Sequence, residues 1–111
     1  MADIEIPFSR EMAIAAVQGR KVATTRSEKK GEIGDIFKIQ DPEVKNDPYP
    51  PHVFRIIDIW PGTWITTVRN DLYRLEGFDS PEAFEKTRRS LHRGHFTKNK
   101  DYVVHFFGRI E

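Results

Sequence analysis

Gly19-Arg20-Lys21-Val22-Ala23-Thr24-Thr25-Arg26 decides how this chain is read. Upstream, Ser9 is a good N-cap, Glu11 sits in a first turn where the helix dipole favours an acid, and Met12, Ala13, Ala16 and Val17 recur at helical spacing. Gly19 supplies the stop, so the pattern predicts a helix over about residues 10–18. Downstream, residues 21–26 are rich in β-branched types and read as a strand. The run therefore turns a helix into a strand, and the turn carries two hydroxyls among three cations. Such a cluster can bind a phosphate, or it can use a lysine to activate a threonine.

Working outward, Ile4, Ile6 and Phe8 alternate with polar positions and read as a strand with one buried face. Ser27 to Gly34 is a polar loop, and Asp35 to Ile39 alternates again as a strand. Residues 41–52 hold Pro42, Pro48, Pro50 and Pro51, which keeps this segment out of a sheet ladder. Val53 to Trp60 is the longest apolar stretch and the best central strand; Pro61-Gly62 reads as a turn, with Trp64 to Thr66 continuing the sheet. Thr67 to Leu75 is helical in pattern. Gly77 closes that helix, and Asp79 or Ser80 caps the next, with Pro81 in its first turn and Glu82 placed for a capping box if Asp79 is the cap. This helix runs to about residue 92, and Tyr102 to Ile110 is a closing strand. Phe106 and Phe107 fall on its opposite faces, so one is buried and the other is available to a pocket. The order β-α-β-β-β-α-α-β predicts an α+β domain, a small barrel-like sheet flanked by helices.

Bulk composition narrows the possibilities. With 111 residues the expectation is one compact domain spanning 1–111. A hydrophobic fraction of 38% and a mean hydropathy of −0.60 fit a water-soluble chain with a modest core. No apolar run approaches the ~20 residues of a membrane span. The acidic start, Met1 to Glu5, is unlike a secretory signal, so a cytoplasmic location is expected. Zero cysteines exclude a disulfide framework, a thiolate metal site and a cysteine nucleophile. Net charge is +1, so nucleic-acid binding would need local segregation of charge. That segregation is present: Arg88, Arg89, Arg93, Lys98 and Lys100 follow one another with no acid between, and Arg20, Lys21, Arg26, Lys29 and Lys30 form a second basic group. For either run taken singly, a solvated face is the simpler reading. His92 and His95 lack a nearby third ligand and flank Arg93, so no metal site is expected.

The helix ending in Gly19-Arg20-Lys21, the following Thr24-x-Arg26, the Gly34-Asp35-Ile36-Phe37 strand start, the Glu76-Gly77-Phe78 corner with its Ser80-Pro81-Glu82-Ala83-Phe84 helix, and the aromatic last strand together resemble the ASCH domain of the PUA-like superfamily. The resemblance covers nearly the whole chain in the family's order; the 41–52 loop departs from it. It implies a PUA-like small β-barrel of about five to six strands with about three helices. It also implies RNA or a modified nucleoside as partner, with no cofactor. Some small ASCH proteins are amidohydrolases that release acetate from N4-acetylcytidine with a lysine, a threonine and a glutamate. Carried onto this sequence, those residues are Lys21, Thr24 and Glu76. Arg20, Arg26, Arg88, Arg89, Arg93, Lys98 and Lys100 are then candidates for binding substrate or RNA. The alternative is a non-catalytic RNA-binding module.

The chemistry is coherent in its own terms. A threonine hydroxyl needs a neighbour to take its proton, and a lysine does so when burial or nearby cations lower its pKa. Arg20 and Arg26 are placed to supply that pressure. One geometric condition follows: on a regular strand Lys21 and Thr24 point to opposite faces. They converge if Lys21 belongs to the turn after Gly19, or if a bulge intervenes.

Overall fold

The computed structural model describes residues 2–40, 42, 51–63, 69–92 and 101–110. Its C-terminal strand is the axis on which the rest is assembled. Strand β4 (Asp101–Arg109) lies between β1 (Ala23–Arg26) and β3 (His52–Thr63), and β3 in turn pairs with β2 (Ile36–Ile39), so the sheet order is β1-β4-β3-β2. Every pairing is antiparallel. A bulge between Ile56 and Asp58 shifts the β3–β4 register and adds twist, which helps the long strand curl the sheet into a half-barrel.

The described sheet has four strands, so it is more open than the closed barrel of five to six expected from the resemblance. The expected strand at Ile4 to Phe8 is reduced to a single parallel bridge between Asp3 and Ile36. Pro7 has no N–H to donate, and the segment leaves the β2 edge after Ile4 to bring Phe8 onto the core. Pro61 and Gly62, expected in a turn, instead continue β3 opposite Val103 and Tyr102. Beyond Ile56, β3 has left its pairing with β2, so Pro61 breaks no ladder on that side. The candidate strand at 64–66 and most of the proline-rich loop lie outside the described residues.

Side chains of β4 alternate between two cores, as a period of two requires. Phe107 joins Ile6, Ala13, Ala16, Phe37, Ile39, Phe54 and Ile56 under helix α1 (Arg10–Val17). Its ring meets Phe37 edge-on at 5.2 Å and Phe54 at 5.5 Å. Tyr102 and Val104 point the other way, onto Ala23, Leu72 and Phe84. Phe84 belongs to helix α3 (Pro81–His92), which Ser80 caps by accepting from the Ala83 amide at 3.1 Å. Ser80 rather than Asp79 is thus the cap, and Glu82 turns outward. The helix expected over 67–75 is described as a short α2 (Arg69–Asp71) followed by turns to Gly77; Arg69 ties it to α3 through Glu85 at 3.3 Å. Among the described residues, no helix is long and apolar enough to cross a membrane.

Candidate functional site

Two glycines bring the site together. Helix α1 ends with Gly19 at φ +83°, where the Gly19 amide donates to Ala16 O at 3.1 Å and the Arg20 amide to Ala15 O at 2.9 Å. This is the hydrogen-bond pattern of a Schellman cap, and it needs a residue with left-handed backbone. Lys21 is still in that turn, its own amide donating to Ala15 O at 3.1 Å, and β1 begins at Ala23. The strand's alternation therefore does not bind Lys21, which meets the condition set by the sequence.

The second glycine is Gly77, at φ +94°. A Cβ there would sit 3.3 Å from the Cβ atoms of both Lys21 and Ala15, so the corner packs directly on the α1–β1 turn. Leu75 O clamps it in place by accepting from the Val22 amide at 2.7 Å and the Ala23 amide at 3.0 Å. Glu76, fifty-five positions along the chain, is held against Lys21 as a result.

Lys21 Nζ donates to Glu76 Oε1 at 3.0 Å and to the Glu76 carbonyl at 3.2 Å. Both side chains are 3% exposed. Glu76 also accepts from Thr25, through its amide at 3.3 Å and its hydroxyl at 2.9 Å. The Thr24 hydroxyl instead accepts from Arg26 Nε at 3.1 Å, so it shares a partner with neither Lys21 nor Glu76. Arg26 Nη2 donates to Pro7 O at 2.7 Å, with the guanidinium 5.2 Å from the Phe8 ring centroid. Arg88 reaches in from α3 to donate to Thr25 O at 2.8 Å.

Behind this layer, His105 stands opposite Thr24 in the β1–β4 register and is fully buried. Its Nε2 accepts from the Lys30 amide at 3.0 Å, which leaves Nδ1 as the donor to Thr24 O at 3.2 Å. The ring is therefore neutral, with both nitrogens engaged.

Burial is the main force on Lys21: it drives the ammonium's pKa below its ordinary value of 10.5. The Glu76 carboxylate opposes that shift, while Arg26 and Arg88 add to it. His105 is likewise lowered, chiefly by burial.

Lys21 and its side-chain partners line a cavity of about 480 Å³. Phe8, Met12, Phe78 and Phe84 supply apolar walls, and Lys21, Thr24, Thr25, Arg26, Glu76 and Arg88 supply the polar surface. A second hollow of about 640 Å³ lies between the N-terminal segment and β2, and it gathers no comparable cluster of buried polar groups.

Of the residues singled out from sequence, Lys21, Thr24, Arg26, Glu76 and Arg88 converge on this cavity. Arg20 does not; it is exposed and donates to Gln18 Oε1 at 3.0 Å. Arg89 is half exposed and faces Glu85 at 3.5 Å. Arg93, Lys98, Lys100 and His95 lie outside the described residues, as do Trp64 and the side chain of His92. Phe106 packs on Trp60 at 4.7 Å and does not line the cavity. Among the described residues, no three His, Asp or Glu side chains are grouped to hold a metal ion. Sequence reading missed Thr25 and His105. The first was legible as the second hydroxyl of the run, whereas the second depends on strand register.

No family model matches the chain, and no curated protein matches it in sequence. In structure it is similar to an ASCH domain from Lactobacillus crispatus, with a TM-score of 0.73 and 15% identity over 97% of this chain and 78% of that one. It is also similar to a DUF984 protein from Enterococcus faecalis, with a TM-score of 0.62 and 17% identity over 98% of this chain and 75% of that one. Identities this low speak to the fold, and the likeness spans nearly all of the chain. The chain carries the fold of an ASCH domain.

Proposed function

We propose that the cavity binds a modified nucleoside and hydrolyses an amide on its base, in its sharpest form releasing acetate from N4-acetylcytidine. One observation carries the reading: a lysine, a glutamate and two threonine hydroxyls are buried together in the lining of a cavity with aromatic walls. A desolvated lysine beside two arginines is more available as a general base near neutral pH than a solvated one, since its neutral form costs less to reach. Apolar walls suit the flat face of a nucleobase. The ASCH fold, and the match of Lys21, Thr24 and Glu76 to the motif described from sequence, support the same reading.

Neutral Lys21 turns from Glu76 and takes the proton of the Thr24 hydroxyl as Oγ1 attacks the acyl carbon. Arg26, already 3.1 Å from that oxygen, faces the negative charge that develops on the tetrahedral intermediate. Collapse breaks the C–N bond, and the lysine returns the proton to the leaving amine. Water then cleaves the acetyl ester, losing a proton to the Lys21–Glu76 pair and restoring the hydroxyl. Lys21 and Thr24 do not hydrogen-bond each other in this structure, so the lysine must swing between its two partners.

The test is cytidine and acetate release from N4-acetylcytidine by purified protein, with Thr24→Ala and Lys21→Met alongside and their folding checked by circular dichroism. Turnover lost in both folded variants is the expected result. A folded wild-type protein that releases nothing overturns the hydrolase reading. The non-catalytic alternative then predicts salt-sensitive RNA affinity that falls when Arg88, Arg89, Arg93, Lys98 and Lys100 lose their charges.

A further inference from the structure

Thr25 is idle in the reaction just described, yet it makes more bonds to Glu76 than Lys21's ammonium does to the carboxylate. The hydroxyl donates to Oε2 at 2.9 Å and the amide to Oε1 at 3.3 Å, while Lys21 Nζ meets Oε1 at 3.0 Å. We infer that Thr25 is a positioning residue, which grips both carboxylate oxygens of Glu76 and keeps that side chain turned towards Lys21. The inference rests on the amide-hydrolysis reading above for its catalytic consequence, and on geometry for the grip itself.

A carboxylate held by one oxygen can rotate about its last torsion and swing away from a partner. Held at both oxygens from one residue, it cannot do so without losing a bond. Thr25 is itself fixed on both sides. Its carbonyl accepts from Arg88 Nη1 at 2.8 Å, and it stands opposite Val104 in the β1–β4 ladder. It lines the cavity with only 1% of its surface exposed. Strand packing alone does not explain a hydroxyl here, because valine has the same shape and a similar preference for strands. The grip also narrows the role of Glu76. With Oε1 shared between Lys21 and the Thr25 amide and Oε2 taken by the Thr25 hydroxyl, the carboxylate is a fixed partner for the lysine. It is less available to activate water alone.

The charged groups acting on Lys21 are Glu76, which holds its proton on, and Arg26 and Arg88, which work against it. A loosened Glu76 weakens the first influence and leaves the other two. The experiment is an NMR titration of the Lys21 side chain in protein carrying ¹³C-labelled lysine, assigned by the signal lost in Lys21→Met. Wild type is compared with Thr25→Val and Thr25→Ser, with the acid limb of kcat/KM for N4-acetylcytidine as second readout. In Thr25→Val, Lys21 should titrate at lower pH than in wild type, the acid limb should move the same way, and Thr25→Ser should restore both. An unmoved Lys21 titration in folded Thr25→Val protein overturns the inference. Thr25→Ala serves the same comparison if the valine protein does not fold. The lysine signal needs no turnover, so a shifted titration in a protein that releases no acetate supports the grip and separately sinks the hydrolase reading.

Discussion

Replacing Lys21 with Met leaves a chain of similar length in the same space and removes the charge opposite Glu76. The structure sets the size of the effect. The variant loses two hydrogen bonds from Nζ, at 3.0 and 3.2 Å, and leaves a carboxylate that is 3% exposed without its counter-ion. Breaking one side of a buried pair costs ~3–5 kcal/mol, because the remaining charge is still desolvated. For a chain of this size that lowers Tm by roughly 10–20 °C. Adding Glu76→Gln to the same protein removes the stranded charge while keeping an oxygen for the Thr25 amide. Lys21→Met/Glu76→Gln should therefore be more stable than Lys21→Met alone, with a coupling of about 2 kcal/mol or more across the double-mutant cycle. The assay is urea unfolding at constant pH and salt, followed by tryptophan fluorescence, with thermal melts in parallel. Strictly additive losses would refute the reasoning, since they would mean that Lys21 and Glu76 do not depend on each other.

Two further variants probe the parts that hold the site. His105 binds no extra proton in the fold until the pH is below its ordinary value of 6.5, whereas the unfolded chain begins to do so there. Stability should hold above that value and be lost as the pH falls from it towards the lowered native pKa, because the unfolded state then binds more protons. Melts between pH 7.5 and 5 should show the loss in wild type and a smaller one in His105→Gln, which keeps a donor and an acceptor but cannot charge in this range; equal slopes would exclude His105 as the cause. Gly77→Ala forces a side chain into left-handed backbone at φ +94° and places a Cβ 3.3 Å from that of Lys21. The backbone penalty alone is ~1–2 kcal/mol. A matching drop in the urea midpoint, with a weakened Lys21–Glu76 pair seen as a lower Lys21 titration, is expected, and an unchanged midpoint would show that the corner is not constrained as described.

What was legible in the sequence lay within single elements or single turns. The helix at Arg10–Val17, its Ser9 cap and its Gly19 stop follow from local periodicity and backbone freedom, and the structure keeps all three. So does the strand at Ile36–Ile39, because a half-buried strand writes its two faces into every second residue, and the aromatic closing strand is kept as Asp101–Arg109. The structure departs from the local pattern where the outcome depends on neighbours. Pro61-Gly62 reads as a turn in isolation, and remains in β3 because that stretch has lost its β2 partner. Ile4 to Phe8 alternates like a strand, but Pro7 and the pull of the Phe8 core take it off the sheet edge. The residue types of the candidate site were also in the sequence, in the Lys21 to Arg26 run and the Glu76-Gly77 corner. Their connections were not. That Glu76 meets Lys21, that Thr25 rather than Thr24 bonds to the carboxylate, and that Arg88 leaves its basic run to enter the cavity depend on contacts between residues 51 to 63 positions apart. Such contacts are set by strand register, by the packing of α3 on β4 and by the close approach at Gly77. Those are properties of the folded surface, and no local pattern encodes them.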